Sequence, residues 1–447
     1  MCEPMNDRRE SCDVLVVGGG PAGLAAACGA AESGRRVIIV DDNLGLGGQI
    51  WRGEAAASVS SEASVWLAKA RRADVRFIGG ASVYDCSAGN KLWAETSAGV
   101  CQFAYRKLIL ATGARELLLP FPGWTLPRVM GAGGLQALVK SGLSVAGKRI
   151  VVAGSGPLLL AVAATLRRRK AHVVIIAEQA SRRSLLKFGL SLAGQVGKVY
   201  QAISIKSQLI GVPYLSGCWP VAAEGDDRLR SVTLRQGERE WRVACDYLAC
   251  GFHLLPNLEL AQLCGCQIVR GAVRIDDFQE TSGAGVSSAG EATGIGGLEL
   301  SLIEGEIAGL AAAGNAGRAR RLFHTRERHR RFAAALNSAF AVRDELRALP
   351  TSEPSSAVAK MSPALNCRPT ILGAARSCKL VAEWGRVRAA CAARRFVSCA
   401  GGSRIRFARR SFPSPSKAWR RLLPRFPRRV NPDDAMEGRD ARADHLL

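Results

Sequence analysis

Short apolar runs alternate with helical patterns along the first part of the chain. Asp13–Val17 is a short apolar strand, Leu24–Glu32 is an Ala-rich helix, and Arg36–Val40 is a second strand. The same order returns downstream, where the strand Lys148–Ala153 precedes an apolar helix, and His172–Ala177 is the next strand. Strands that alternate with helices are typical of parallel sheets covered by helices. The pattern therefore predicts an α/β fold that contains two such repeats.

A glycine-rich turn joins the first strand to the first helix. Residues 18–23 read GGGPAG, and Asp41 ends the second strand. This is the G-x-G-x-x-G pattern with its acidic residue about 20 positions further on. Gly18 permits a tight turn, Gly20 lets the backbone approach a pyrophosphate, and Gly23 lets helix and strand pack closely. The helix N-terminus offers N–H donors to phosphates, and Asp41 offers acceptors to ribose hydroxyls. We expect a dinucleotide site here.

The second repeat carries a related turn. Residues 154–159 read GSGPLL, and Glu178 ends the following strand. Gly154 and Gly156 supply the two glycines that phosphate binding needs, whereas Leu159 replaces the glycine that serves helix packing. A carboxylate at Glu178 favours a free ribose 2′-hydroxyl. Two interpretations stay open: the fold binds a nicotinamide dinucleotide, or it is retained for structure alone.

Three further segments resemble the two-dinucleotide-binding flavoproteins of the pyridine nucleotide-disulfide oxidoreductase superfamily. They are residues 45–51 (GLGGQIW), 108–113 (LILATG) and 289–297 (AGEATGIGG). The resemblance implies two Rossmann-like domains and a bound FAD. The residues that it assigns to FAD beyond the first turn are Gly48, Gln49, Thr112, Gly113, Gly290 and Glu291. Many relatives have Asp at the last of these positions.

The match is narrower over residues 11–349. There the chain resembles the A (α) subunits of opine oxidases, hydrogen cyanide synthase and dye-linked proline or hydroxyproline dehydrogenases. The resemblance implies an FAD-dependent oxidoreductase subunit. It would relay electrons from a second flavoprotein, which binds the small-molecule substrate and oxidises the C–N bond of an amino acid or opine.

The same resemblance implies the domain organisation. The FAD-binding domain is split into residues 11–122 and 246–315. A nucleotide-binding domain of the NAD(P) type is inserted between them at 123–245. Residues 316–349 are expected to form a helical linker, and 350–447 a basic tail.

Protein side chains are not expected to carry the redox chemistry themselves. The sequence contains no C-x-x-C pair, and its nearest approach is Cys264 with Cys266. The superfamily's disulfide reductases use such a pair, so we exclude disulfide reduction. The five histidines are scattered, and no metal site is expected. The flavin would carry the chemistry while the protein positions it.

The charge is concentrated in the tail. The whole chain carries a formal net charge of +24, and residues 350–447 carry +13 of it. A basic arm of this kind is typical of proteins that bind nucleic acid or anionic membranes. However, the tail has no helix-turn-helix pattern, zinc spacing or aromatic ladder. We therefore do not expect nucleic-acid binding.

The tail also lacks the [2Fe-2S] domain with which the relatives continue. That domain opens with CxCE and closes with CGMGPCQG, and this chain has neither. Read one frame away, codons for residues 356–362 can encode CRCEDV, and codons for 381–393 can encode CGMGPCQG. We predict a single frameshift near residues 345–355, which leaves a disordered tail without cluster ligands. Resequencing the DNA tests this, and stop codons between the shifted motifs would refute it.

The sequence also bears on where the protein is located and leaves other functions open. Residues 1–11 are short and polar, and no apolar run reaches the ~18 residues of a membrane span, so we expect a cytoplasmic protein. Most of the cysteines are expected to be buried thiols. The alternative functions are an NAD(P)H-dependent flavin reductase, a basic-tailed nucleic-acid-binding protein and an inactive pseudogene product.

Overall fold

The computed structural model describes residues 8–51, 62–87, 89–192 and 196–349. Strands alternate with helices along these ranges, which confirms the α/β prediction. The basic tail at 350–447 lies outside the described residues, and so does the part of the predicted frameshift stretch, 345–355, that follows residue 349. The strands are β1 (Arg8–Val17), β2 (Val37–Asp41), β3 (Arg76–Gly79), β4 (Ser82–Ser87), β5 (Lys91–Thr96), β6 (Gly99–Leu110), β7 (Ala114–Glu116), β8 (Val129–Gly131), β9 (Arg149–Gly154), β10 (His172–Glu178), β11 (Tyr214–Ser216), β12 (Cys218–Glu224), β13 (Ser231–Gln236), β14 (Arg239–Ala244), β15 (Tyr247–Gly251), β16 (Leu254–Pro256), β17 (Ile268–Val269), β18 (Ala272–Val273) and β19 (Val286–Ser288). The helices are α1 (Pro21–Ala31), α2 (Glu62–Arg72), α3 (Ala132–Lys140), α4 (Pro157–Arg168), α5 (Arg182–Ser191), α6 (Val196–Ser207), α7 (Glu259–Leu263), α8 (Leu298–Ala312), α9 (Ala316–Arg320), α10 (Phe323–Ala339) and α11 (Asp344–Arg347).

The first sheet builds the N-terminal unit. Its strand order is β3-β2-β1-β6-β5-β4, and a further strand, β19, pairs with β6 in parallel. Strands β1, β2, β3 and β6 are parallel, whereas β4 and β5 form an antiparallel edge. Every residue of β2 and the last four of β1 are buried, because helices or loops cover both faces of the parallel strands. The carboxyl ends of these strands therefore meet at one edge.

The second sheet builds the inserted unit. Its parallel strands are ordered β11-β10-β9-β15-β8, and a separate antiparallel sheet follows the order β12-β13-β14. Strand β15 pairs with β9 from Tyr247↔Ile150 to Gly251↔Gly154. The predicted end of this unit at residue 245 is therefore one strand too early. A short buried apolar strand carries no sign of the sheet to which it belongs, so its sequence could not correct the boundary.

Helices α1 and α8 cross at close range in the first unit. A Cβ added to Gly305 would lie 2.1 Å from the carbonyl oxygen of Ala22, and one added to Gly309 would lie 2.0 Å from that of Ala26. Only glycine fits at these two points of contact. The crossing fixes α1, and with it the glycine turn that precedes α1, against the rest of the unit.

The segment predicted as a helical linker is helical, but it packs against the folded core. Arg326 on α10 is 3% exposed, and its guanidinium donates to the backbone oxygen and to Oδ1 of Asp277. Further along, Leu346 on α11 is fully buried in the core of the second unit. Residues 316–349 therefore belong to the fold, and the term linker is wrong for them.

Candidate functional site

The first glycine turn has the geometry that its spacing predicts. Gly18 has φ +107°, and a Cβ there would lie 2.1 Å from the carbonyl oxygen of Ala111. A Cβ on Gly23 would lie 1.8 Å from the Gly18 oxygen. By contrast, a Cβ on Gly20 would meet only the Cα of Gly48, at 3.9 Å. The turn is therefore packed tightly behind Gly18 and Gly23 and open beside Gly20.

Asp41 holds this turn from the end of β2. It is 7% exposed, and its Oδ2 accepts a hydrogen bond from the backbone N–H of Gly19. Its Oδ1 accepts from the backbone N–H of Asn43 at 2.7 Å. The Asn43 side-chain amide also donates to Oδ1, at 2.8 Å. A carboxylate oxygen has two lone pairs, so Oδ2 can still accept from a ligand hydroxyl. The predicted acidic residue thus lies beside the glycine turn.

The loop after Asp41 folds back over the same turn. The backbone N–H of Gly47 donates to the oxygen of Gly19 at 2.8 Å. Gly48 has φ +58°, and a Cβ there would lie 2.9 Å from the Cα of Gly20. The predicted flavin contact Gln49 has an exposed side chain. Trp51, which was not predicted as a site residue, is 3% exposed and anchors the loop in the core.

Thr112 and Gly113 follow β6 and are held by a residue that was not predicted to belong to the site. The Thr112 hydroxyl donates to the backbone oxygen of Asn257 at 2.8 Å, and the Asn257 amide donates to the oxygen of Thr112 at 2.9 Å. Gly113 has φ +68°, a conformation that favours glycine. Asn257 lies in residues 251–260 (GFHLLPNLEL), where no motif spacing singles it out as a site residue.

Glu291 is a buried carboxyl with one free oxygen. It lies in a 3-10 helix that spans Gly290–Thr293. Its Oε1 accepts from the backbone N–H of Gly297 at 3.0 Å, and its buried Oε2 has no hydrogen-bond partner among the described residues. Burial raises the pKa of Glu291 from 4.5 to about 7. An unpaired buried acceptor fits a ligand that brings a hydroxyl donor.

A second buried carboxyl, Glu304 on α8, supports this helix from behind. It is 2% exposed, and its Oε2 accepts from the Gly290 N–H at 3.2 Å and from the Thr293 hydroxyl at 2.7 Å. Its Oε1 pairs with the Arg330 guanidinium at 3.2 Å. No signal in the sequence singled out Glu304, because α8 contains two further glutamates, Glu299 and Glu306.

The first group of predicted residues therefore meets at the carboxyl edge of the first sheet, around the N-terminus of α1. Dinucleotides bind at this edge in open α/β sheets. The residues present fit a group with phosphates and hydroxyls, because the turn is open at Gly20 and Glu291 has a free acceptor. The members of this group are Gly18, Gly20, Gly23, Asp41, Gly48, Thr112, Gly113, Gly290 and Glu291.

The second predicted group also comes together, at the carboxyl edge of the second sheet. Gly154 has φ +143°, and a Cβ there would lie 2.0 Å from the oxygen of Gly251. Glu178 accepts from the backbone N–H of Gly156 at 2.8 Å and from that of Ala180 at 2.8 Å. These hydrogen bonds lower the pKa of Glu178, but burial has the larger effect and raises it to about 7. Both of its oxygens are therefore already engaged within the protein.

Comparison with known proteins assigns the fold to a family. Residues 12–317 match the sequence profile of the pyridine nucleotide-disulphide oxidoreductases. The chain belongs to this family. It is therefore an FAD-dependent oxidoreductase, and its two glycine turns are those of the family's two Rossmann-like units.

Among members of the family, the chain is similar to components of two known enzymes. It is 30% identical to the hydrogen cyanide synthase subunit HcnB of Pseudomonas protegens over 335 residues, which cover 67% of this chain and 70% of HcnB. It is also 30% identical to the A subunit of the Rhizobium meliloti opine oxidase over 333 residues, which cover 68% and 72% of the two chains. These similarities confirm the resemblance inferred from the motifs.

A solved structure of L-proline dehydrogenase from P. horikoshii has a similar fold. It superposes with a TM-score of 0.53 and 17% sequence identity, and the match covers 73% of this chain and 60% of that chain. At this identity the likeness concerns the fold.

The family is named for disulphide chemistry, but the described ranges of this member contain no disulfide, and its sequence contains no C-x-x-C pair. All cysteines of the described ranges are free, and the loop at 45–51 contains none. Burial raises the pKa of Cys12 to about 12 and that of Cys28 to about 11, so these thiols are poor nucleophiles. In the described part of the chain, no cluster of His, Cys, Asp or Glu could hold a metal, and no helix could cross a membrane.

Proposed function

We propose that this chain binds FAD in its first unit and relays electrons within a multi-subunit enzyme. A partner flavoprotein would oxidise the C–N bond of an amino acid or an opine, and this chain would receive the electrons. The two relatives support this, since each is one subunit of a larger enzyme, hydrogen cyanide synthase in one case and opine oxidase in the other.

The residues of the first site have separate tasks in this proposal. Bound FAD supplies the redox chemistry. The open backbone at Gly20 and the N-terminus of α1 bind the pyrophosphate, and Asp41 accepts from the adenosine ribose. Glu291 would accept a hydrogen bond from a hydroxyl of the ribityl chain. The observation that carries the proposal is the buried Oε2 of Glu291, which has no partner among the described residues, together with the open glycine turn; the neighbouring Gly290 packs against Ala22 of α1.

The absence of a thiol pair from the sequence supports a relay. The described site offers backbone amides and carboxylates, and positions 45–51 contain no cysteine. The electrons therefore cannot pass to a disulfide beside this loop, as they do in a disulfide reductase. They must pass to another carrier, which we assign to the partner or to an external acceptor.

Anaerobic spectroscopy of the purified full-length chain tests the relay. We expect that neither amino acids nor opines bleach the flavin of the chain alone, and that a dye acceptor reoxidises the flavin after photochemical reduction. The flavin-stripped chain is the control for direct reactions of the dye. Bleaching by an amino acid without a partner would refute the assignment of substrate oxidation to the partner flavoprotein. Rapid bleaching by NADH would favour the flavin reductase instead.

A further inference from the structure

The glycine turn of the second unit is covered by residues 340–343 of the same chain. The Ser155 hydroxyl, in the middle of the turn, donates to the backbone oxygen of Phe340 at 2.9 Å. The Phe340 ring lies over Gly156, because a Cβ built on that glycine would lie 3.8 Å from Phe340 Cγ. A pyrophosphate must approach the backbone at this glycine. An aromatic ring already fills that approach.

No side chain covers the corresponding position of the first unit, where only the backbone of Gly48 comes near. The nearest atom to a Cβ on Gly20 is the Cα of Gly48 at 3.9 Å, and no side chain lies within 4 Å. Phe340, in contrast, is 8% exposed and is buried against Gly156. The two turns thus share the same backbone design but differ in access.

A buried amide clamps the covering segment. Gln179 is fully buried directly after β10. Its Nε2 donates to the hydroxyl of Ser155 at 2.8 Å and to the oxygen of Ala341 at 3.0 Å, and its Oε1 accepts from the backbone N–H of Arg343 at 3.2 Å. Buried amides are stable when they are paired in this way. The Ser155 hydroxyl, which the turn could offer to a ligand, is used on the segment.

The residues on both sides anchor the segment in the second unit. The Phe340 ring meets the edge of Phe188 with centroids 5.3 Å apart. The Arg343 guanidinium lies 4.7 Å from the centroid of the Trp219 ring. Leu346 is fully buried in the core that contains Val151. The cover is therefore continuous with the core packing of the unit.

We infer that residues 340–343 occupy the dinucleotide crevice of the second unit, so that the native chain takes up no NAD(P)H there. The ligand that the fold would suggest does not fit, because the Phe340 ring packs on Gly156 and the Ser155 hydroxyl is bonded to the covering segment. One consequence rests on the proposed function: the electrons on FAD come from a source other than a nicotinamide.

Calorimetric titration of the full-length chain with NADH and with NADPH tests the inference. The wild type is expected to show no saturable binding. The paired variant Phe340→Ala with Gln179→Ala removes the ring and the clamp. It should bind a nicotinamide dinucleotide saturably, with an affinity at least about tenfold above the upper limit that the wild-type titration sets, because the open crevice becomes populated. Phe332→Ala is the matched control, since Phe332 contacts Phe188 in the same aromatic cluster. It should behave as the wild type.

Saturable binding by the wild type would overturn the inference, and so would a folded paired variant that gains no affinity. If the paired variant fails to fold, hydrogen exchange of the wild-type amides at 154–156 and 340–343 decides. If NADH leaves the hydrogen-exchange rates of these amides unchanged, the inference is supported. If adding NADH changes them, it is overturned. Neither calorimetry nor hydrogen exchange depends on bound flavin. A chain that contains no flavin and binds no NADH would therefore refute the proposed function but leave this inference standing.

Discussion

Replacement of Gly20 by alanine separates cofactor binding from folding. The backbone there has φ −73° and ψ −174°, an extended conformation that alanine adopts without strain. The added Cβ would meet only the Cα of Gly48, at 3.9 Å. The methyl group therefore has room in the protein, but it occupies the side of the turn that we assign to the pyrophosphate.

The size of the effect follows from the hydrogen bonds that the methyl group prevents. A hydrogen bond to a charged group contributes about 1.5–3 kcal/mol. Loss of one or two of them costs roughly 3 kcal/mol, which is about a hundredfold in the Kd of FAD. The free energy of unfolding of the flavin-free protein should not fall, because replacing glycine at a compatible conformation stabilises by ~0.4–1 kcal/mol.

Reconstitution of the flavin-free protein, followed by flavin fluorescence, measures the Kd of FAD for both proteins. The matched control is Gly45→Ala, since Gly45 lies in the neighbouring loop and a Cβ there meets nothing within 4 Å. The control should bind FAD as the wild type does. Unchanged affinity in Gly20→Ala, with the fold intact by circular dichroism, would show that no pyrophosphate approaches this turn.

Three further substitutions test the buried groups around the site. Burial raises the pKa of Glu291 from 4.5 to about 7, so the folded flavin-free chain binds more protons between these values and loses on the order of 3 kcal/mol of stability as the pH rises through them. Glu178, whose pKa is raised to about 7 as well, adds a loss over the same pH range. Urea unfolding at several pH values should therefore show a smaller loss in Glu291→Gln than in the wild type, and equal slopes would contradict the assignment to Glu291. Arg330→Met leaves the carboxylate of Glu304 buried and unpaired, which should cost about 3–5 kcal/mol, and adding Glu304→Gln should restore most of it; a single variant as stable as the wild type would disprove the pairing. Gly309→Ala places a Cβ 2.0 Å from a carbonyl oxygen of α1 and should lower the unfolding free energy by at least ~1–3 kcal/mol, whereas Gly317→Ala, which meets nothing within 4 Å, should not.

Local spacing predicted the two glycine turns because the constraint on each is local. Gly18 and Gly154 lie where the chain leaves a buried strand, and both have positive φ with a carbonyl about 2 Å from a virtual Cβ. Asp41 and Glu178 end the following strands and lie against these turns. In each case strand, turn, helix and acid follow one another within a short stretch of sequence, so the pattern contains the geometry.

The parts that the sequence did not reveal depend on contacts between distant residues. Asn257 bonds to Thr112 across 145 positions, and Phe340 reaches Ser155 across 185. No periodicity signals such pairs. Strand β15 was assigned to the wrong unit for the same reason, because its partner strand β9 lies about a hundred residues earlier.

Identification of the ligand released from the purified full-length chain tests the central claim most directly. A visible absorption spectrum would be recorded first, and the chain would then be denatured and the released compound analysed. The account predicts an oxidised-flavin spectrum and FAD in close to one equivalent per chain. A well-folded, colourless protein that releases no flavin would contradict it.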